Sequence, residues 1–116
     1  MSSMVLDARS IDSILSGSRT WQLRFEKVSH KGVIEVVQGC SDLILGTVEV
    51  VGCIGPLTEQ VVEDSLDKFN LSELEAKQLS NRIAKGMRVY AMILESPRRY
   101  MSPVIATEDT ILAEAV

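Results

Sequence analysis

Between residues 16 and 24 the chain reads Ser-Gly-Ser-Arg-Thr-Trp-Gln-Leu-Arg, and three of these side chains are suited to gripping a polar ligand. Arginine presents a planar fork of donors that matches a phosphate or a base edge. Glutamine both donates and accepts. After Gly17 the pattern alternates: Trp21, Leu23 and Phe25 fall on one face, and Thr20, Gln22, Arg24 and Glu26 on the other. Alternate residues of a strand stand roughly 6.6–6.8 Å apart, so Gln22 and Arg24 can reach neighbouring groups of one ligand. Arg19 sits at the turn that leads into this strand. Arg19, Gln22 and Arg24 are expected to line one anion-accepting cleft, joined by Thr20 or Ser41. Proton transfer suits them poorly. Arginine stays protonated, and glutamine is neither an ionisable base nor a usual nucleophile.

Other residues with chemical potential are weaker candidates. Tyr100 is flanked by Arg98 and Arg99, and an aromatic ring between guanidinium groups can hold an unstacked base against a phosphate. Covering one end of a barrel is an equal alternative for Tyr100. His30, the only histidine, lies in a polar turn beside Lys31 and reads as a solvated or phosphate-contacting residue. Glu59 reads as a carboxylate at a helix start, stabilised by the helix dipole. Trp21, on the apolar face, reads as packing. Cys40 and Cys53 lack a metal-binding spacing and read as buried structural thiols. No metal and no cofactor is expected.

The elements that position these side chains follow from period and punctuation. Ile11, Ile14 and Leu15 lie at helical spacing after a cap at Asp7 or Ser10, and Gly17 stops that helix. Strands are expected at 4–6 (an edge strand), 20–27, 33–37, 43–51 and 87–94, the last of them central. Gly46 within the fourth predicts a bend or bulge. Residues 58–69 predict one helix with Val62, Leu66 and Phe69 inward. Ser72 and Glu75 form a capping-box pattern before a second helix that ends near Ala84. Residues 96–100 read as a turn, and 103–106 and 110–115 as closing strands. Glycine-bent strands with helices between them predict an α+β class, a small mixed β-barrel with a helix before the first long strand.

The 116 residues are 46% hydrophobic and 24% charged, which fits one folded domain over 1–116. Aromatic residues are only 4%, so an aliphatic core is expected. No apolar run nears the roughly 20 residues of a membrane span, and Met1 to Asp7 lacks the pattern of a signal peptide. A cytoplasmic protein without membrane contact is the expectation. The net charge of −4 argues against broad non-specific nucleic-acid binding. The charges are segregated, however. Arg9, Arg19, Arg24, Lys27, His30 and Lys31 form one basic group, and Arg82, Lys85, Arg88, Arg98 and Arg99 a second. Glu59, Glu63, Asp64, Asp67, Glu73 and Glu75 lie between them. A compact fold can set both basic groups beside one groove with the acidic helices turned away; ordinary solvated faces are the alternative.

The stretch from Gly17 to Arg24 resembles the signature of the ASCH domain, Gly-x-Lys-x-x-Glu-x-Arg. The segments 39–50, 53–57, 90–94 and 98–104 are similar to that family in the same order, so the resemblance covers nearly the whole chain. It implies a PUA-like β-barrel with a cleft between its first helix and the barrel, lined by the signature residues. It also implies a link to RNA binding, with some members acting as acetylcytidine amidohydrolases or ribonucleases. Gly17 and Arg24 match the signature. Arg19 stands at the lysine position and Gln22 at the glutamate position, where the amidohydrolases carry a threonine nucleophile. The apolar, glycine-containing ending of the family is poorly matched at 106–110.

The expected function is an ASCH-type binding module for RNA or a nucleotide-like ligand. The ligand residues expected are Gly17, Arg19, Thr20, Gln22, Arg24, Ser41, Arg98, Arg99 and Tyr100. The alternatives are a small hydrolase of a modified nucleoside or of RNA, and an adaptor that uses the acidic helices.

Overall fold

The computed structural model describes residues 2–105 and 111–114. Asp7 starts the first helix, its carboxylate accepting the Ser10 amide at 3.3 Å. That bond meets one of the donors a helix start leaves unpaired. The helix, α1 (Ala8–Leu15), buries Ile11, Ile14 and Leu15 on one face. Gly17 then takes φ +84°, a left-handed conformation that ends it. The strand after it, β2 (Trp21–Arg24), is shorter than the alternation over 20–27 suggests.

Five more strands, β1 (Ser3–Leu6), β3 (Gly32–Gln38), β4 (Leu43–Ile54), β5 (Tyr90–Ile105) and β6 (Ile111–Glu114), join β2 in one sheet. The order is β2-β5-β4-β3-β1-β6. β1 pairs in parallel with β3 and β6, and the remaining neighbours are antiparallel. β1 is therefore not an edge strand, because β6 occupies its other side; the edges of the sheet are β2 and β6. The closing strands expected at 103–106 and 110–115 are met by the end of β5 and by β6, and Ala106, Thr110 and Ala115 lie outside the described residues.

The segment 96–100 is not a turn but part of β5. The chain keeps its ladder with β4 by bulging: Thr47 faces Arg98 and Glu49 faces Glu95, so Val48 opposes both Ser96 and Pro97. Ser96 adopts φ +51° there. A bulge is one of the few places in a sheet that tolerates proline, which has no amide to donate. The bend expected at Gly46 is present. Val36 faces Gly46 and Val37 faces Ile44, which leaves Leu45 as the extra residue. A Cβ on Gly46 would strike the Arg98 carbonyl oxygen and come within 3.0 Å of Leu15 Cδ2. Only glycine lets the two strands approach this closely.

The insertion between β4 and β5 holds α2 (Glu59–Asp64), α3 (Leu66–Phe69) and α4 (Glu73–Ala84). The single helix expected over 58–69 breaks at the buried Ser65, which has φ −122°. Bonds from a distant segment hold α3 separately: Thr20 donates to the Lys68 carbonyl at 2.9 Å, and Arg19 Nε to the Phe69 carbonyl at 2.9 Å. The capping box before α4 forms in both directions, with the Glu75 amide on Ser72 Oγ at 3.2 Å and the Ser72 amide on Glu75 Oε1 at 3.3 Å.

The core is divided, aliphatic in one cluster and centred on Phe69 in the other. One cluster packs Ile11, Ile14 and Leu15 of α1 against the sheet through Met4, Ile34, Val36, Val48 and Leu94. The other packs Val62, Phe69 and Leu79 of the helices against Val89 and Ala91, with Trp21, Leu23 and Phe25 beside them. Cys40 is exposed in the β3–β4 turn and Cys53 is half-buried, so the two are not both interior thiols; both are free. His30 is not fully solvated either: its Nε2 is buried and has no hydrogen-bond partner among the described residues.

Gly46→Ala should cost about 1–3 kcal/mol, the usual range for overpacking, read as a lower urea midpoint. A second expectation concerns acid. Hydrogen bonds from Ser72, the backbone one foremost, hold the Glu75 pKa below its ordinary 4.5, with Arg9 and Arg19 adding to them. A depressed folded-state pKa means that this stabilisation is complete above 4.5 and is lost as pH falls through the folded value. Glu75→Gln should therefore lower the urea midpoint at pH 7, and the gap from the parent should narrow as the pH is taken below 4.5.

Candidate ligand-binding cleft

The junction between α1 and β2 places the central side chains. The Arg19 amide donates to the Ser13 carbonyl at 2.8 Å, which folds the turn back on α1. The guanidinium then reaches across to α3 and β2: Nε donates to the Phe69 carbonyl at 2.9 Å and Nη1 to Gln22 Oε1 at 3.1 Å. Arginine has no acceptor, so this contact settles which end of the Gln22 amide faces it. Gln22 is 5% exposed. Arg19 Nη2 and Gln22 Nε2 have no hydrogen-bond partner among the described residues, and neither is sealed off as a buried unsatisfied atom.

Both side chains line a cleft of about 280 Å³ between α1, β2 and the α3–α4 connection. One wall is aromatic, with Trp21, Phe25 and Phe69. Trp21 meets Phe69 edge-on, with centroids 5.5 Å apart and planes at 83°. Lys68 Nζ lies 4.5 Å from the centre of the Trp21 ring. Trp21 thus packs, as its strand face predicts, and also borders the cleft. The polar wall comes from Asp7, Arg9, Ser10 and Ser13 of α1 and from Glu75 and Arg82 of α4.

The cleft holds three arginines and two carboxylates. Burial lowers the Arg19 pKa from its ordinary value, while Asp7 and Glu75 pull it back up, and the guanidinium stays charged. Hydrogen bonding to Ser10 holds the Asp7 carboxyl below its ordinary value. Both carboxylates are therefore ionised at neutral pH. No cluster of histidine, cysteine and acidic residues able to hold a metal occurs among the described residues.

The structure distributes the residues singled out from the sequence over several places. Arg19 and Gln22 share the main cleft. Gly17 and Thr20 join Arg19 around a second, adjoining cleft. Arg24 is half-buried in β2, and Ser41 is exposed in the β3–β4 turn; neither lines the main cleft. Arg99 forms a surface salt bridge with Asp12 of α1 at 3.0 Å. Arg98 is exposed and Tyr100 half-buried on β5, also away from the main cleft.

The two basic groups do meet, through Arg9 and Arg19 of the first and Arg82 of the second. The acidic helices are not all turned away, since Glu75 faces the same space. Sequence reasoning missed the cleft side of α1. Arg9, Ser10 and Ser13 lie off the face marked by Ile11, Ile14 and Leu15, and that polar stripe was the available signal. Nothing in the sequence marks Phe69 and Leu71 as cleft residues, because they look like the rest of an apolar helical face.

No family model matches the chain, and no curated protein matches it by sequence. Solved structures do match in shape. ASCH from Zymomonas mobilis superposes with a TM-score of 0.71 at 14% identity, covering 89% of this chain and 71% of that one. A Tyr-to-Phe mutant of that protein gives 0.66 at 15%, covering 89% and 73%. A Ser-to-Ala mutant gives 0.65 at 16%, covering 89% and 72%. The chain thus has an ASCH-like fold, an α+β domain built on one mixed six-stranded sheet.

Proposed function

We propose that this protein is a cytoplasmic binding module for an unpaired nucleotide, carried in RNA or as a free nucleotide-like ligand, held in the cleft of Arg19 and Gln22. The observation that carries this reading is the fixed donor pair. Arg19 and Gln22 hold each other in place, yet Nη2 and Nε2 retain donor capacity. Donors already immobilised bind an acceptor-rich group at low entropic cost. The aromatic wall beside them suits the face of a base. The cleft, about 280 Å³, is sized for one nucleotide unit rather than a long track.

Hydrolysis is the weaker reading for this cleft. A general base works best with a pKa near the working pH. Asp7 and Glu75, the carboxylates here, are both shifted away from neutrality. Arg19 and Gln22 supply neither a base nor a nucleophile. The ASCH-like fold is compatible with either role.

Titration of nucleoside monophosphates and short single-stranded RNA into the purified protein tests the proposal. Binding at low salt is expected, with a log–log salt slope no steeper than about −2, because few phosphates are contacted. Gln22→Met, which keeps the volume and removes the amide, should weaken binding about tenfold. Absence of binding at low salt would remove the proposal. Incubation with acetylcytidine should release no acetate above background; turnover that disappears in Thr20→Ala would establish the hydrolase instead.

A further inference from the structure

Arg19 forms part of two cavities. Beyond it lies the second cleft, of about 350 Å³, between the end of α1 and the bulged part of β5. Its floor is Ile14, Val48 and Leu94, all core residues. Thr20 lines the second cleft next to Arg19 and is held from both sides, its amide on the Lys68 carbonyl at 2.9 Å and its carbonyl accepting the Leu94 amide at 2.8 Å. Gly17 borders the opening, and a Cβ there would meet nothing within 4 Å. The extra residue at the Ser96–Pro97 bulge bends β5 at the opposite side of the cavity.

The chemistry of the two cavities is complementary. The apolar lining, with the exposed Pro97 beside the buried floor, accepts the flat face of a base but offers a phosphate nothing. Glu95 at its border opposes a second anion there. The charged residue common to both cavities is Arg19, whose guanidinium is fixed by its bonds to Phe69 and Gln22. A single negative charge midway between two bases is what one phosphodiester link presents.

We propose that the two cavities form one dinucleotide site: one base in the main cleft, its neighbour over the aliphatic floor, and the linking phosphodiester against Arg19. This inference rests on the nucleotide reading of the main cleft and extends it to a length of single strand. The second cleft then counts the nucleotides, and Gly17 keeps it open.

Calorimetric titration of adenylyl-adenosine and uridylyl-uridine, compared with AMP and UMP, tests it. The dinucleoside monophosphates should bind at least about tenfold more tightly than the mononucleotides, the gain expected from holding one further base. Gly17→Asn adds a side chain at the opening while tolerating a left-handed backbone, and it should bring that ratio close to one. Thr20→Gln, which enlarges another lining side chain, replaces it if Gly17→Asn melts far below the parent. Binding of the dinucleosides alone, abolished by the filling variant, would also support the site. Equal affinity for both ligand lengths would overturn the dinucleotide site and leave the main-cleft reading standing. A tenfold ratio that survives in the folded variants would overturn it too, by placing the second base elsewhere. Failure of every ligand to bind would overturn both.

Discussion

The carbonyls of Lys68 and Phe69 accept hydrogen bonds from Thr20 and Arg19, and the geometry of both clefts depends on that clasp. Residues 19 and 20 link four elements at once. The Arg19 amide holds α1 through Ser13, its side chain holds α3 and β2, and the Thr20 carbonyl holds β5 through Leu94. The two halves of the core meet here. Without these bonds, α1 would still pack on the sheet and α3 would still bury Phe69. Their relative placement would be set only by apolar contact, which is not directional.

The same clasp gives the site its chemical character. Arg19 is largely withdrawn from water, and two of its donor positions are spent on structure. What remains is one arm of a rigid cation beside a rigid amide. Asp7 and Glu75 offset part of its charge, so the cleft is not a general trap for anions. The overall charge of −4 points the same way. In the proposed binding role, selection of a ligand then depends on matching a few donors and an aromatic wall, rather than on long-range attraction.

Glycine placement explains how a small sheet leaves room for such clefts. Gly46 lets β4 and β5 come close where a side chain would collide with the Arg98 carbonyl. The bulges on either side of this point curve the sheet around α1. Gly17 has the reverse role: space is open around it, and its left-handed backbone turns the chain out of α1 at the second cleft.

Much of this protein was legible locally. The Asp7 cap, the α1 core face, the Gly46 bend and the Ser72–Glu75 capping box all depend on residues within a few positions of one another. Their side-chain chemistry and spacing were enough. Arg19 and Gln22 could be marked as neighbouring polar side chains for the same reason, three residues apart on a turn and a strand. What the tertiary structure decided depends on contacts from afar. It broke the helix at Ser65, because α3 is held by residues some fifty positions earlier. It kept 96–100 in a strand, because β4 supplies a long pairing edge that outweighs the turn preference of Ser-Pro. It separated Arg98, Arg99 and Tyr100 from the main cleft and brought in Arg9, Glu75 and Arg82 instead. Periodicity reports which face of an element is buried, but not which distant element faces it. A cleft is made by the second of these.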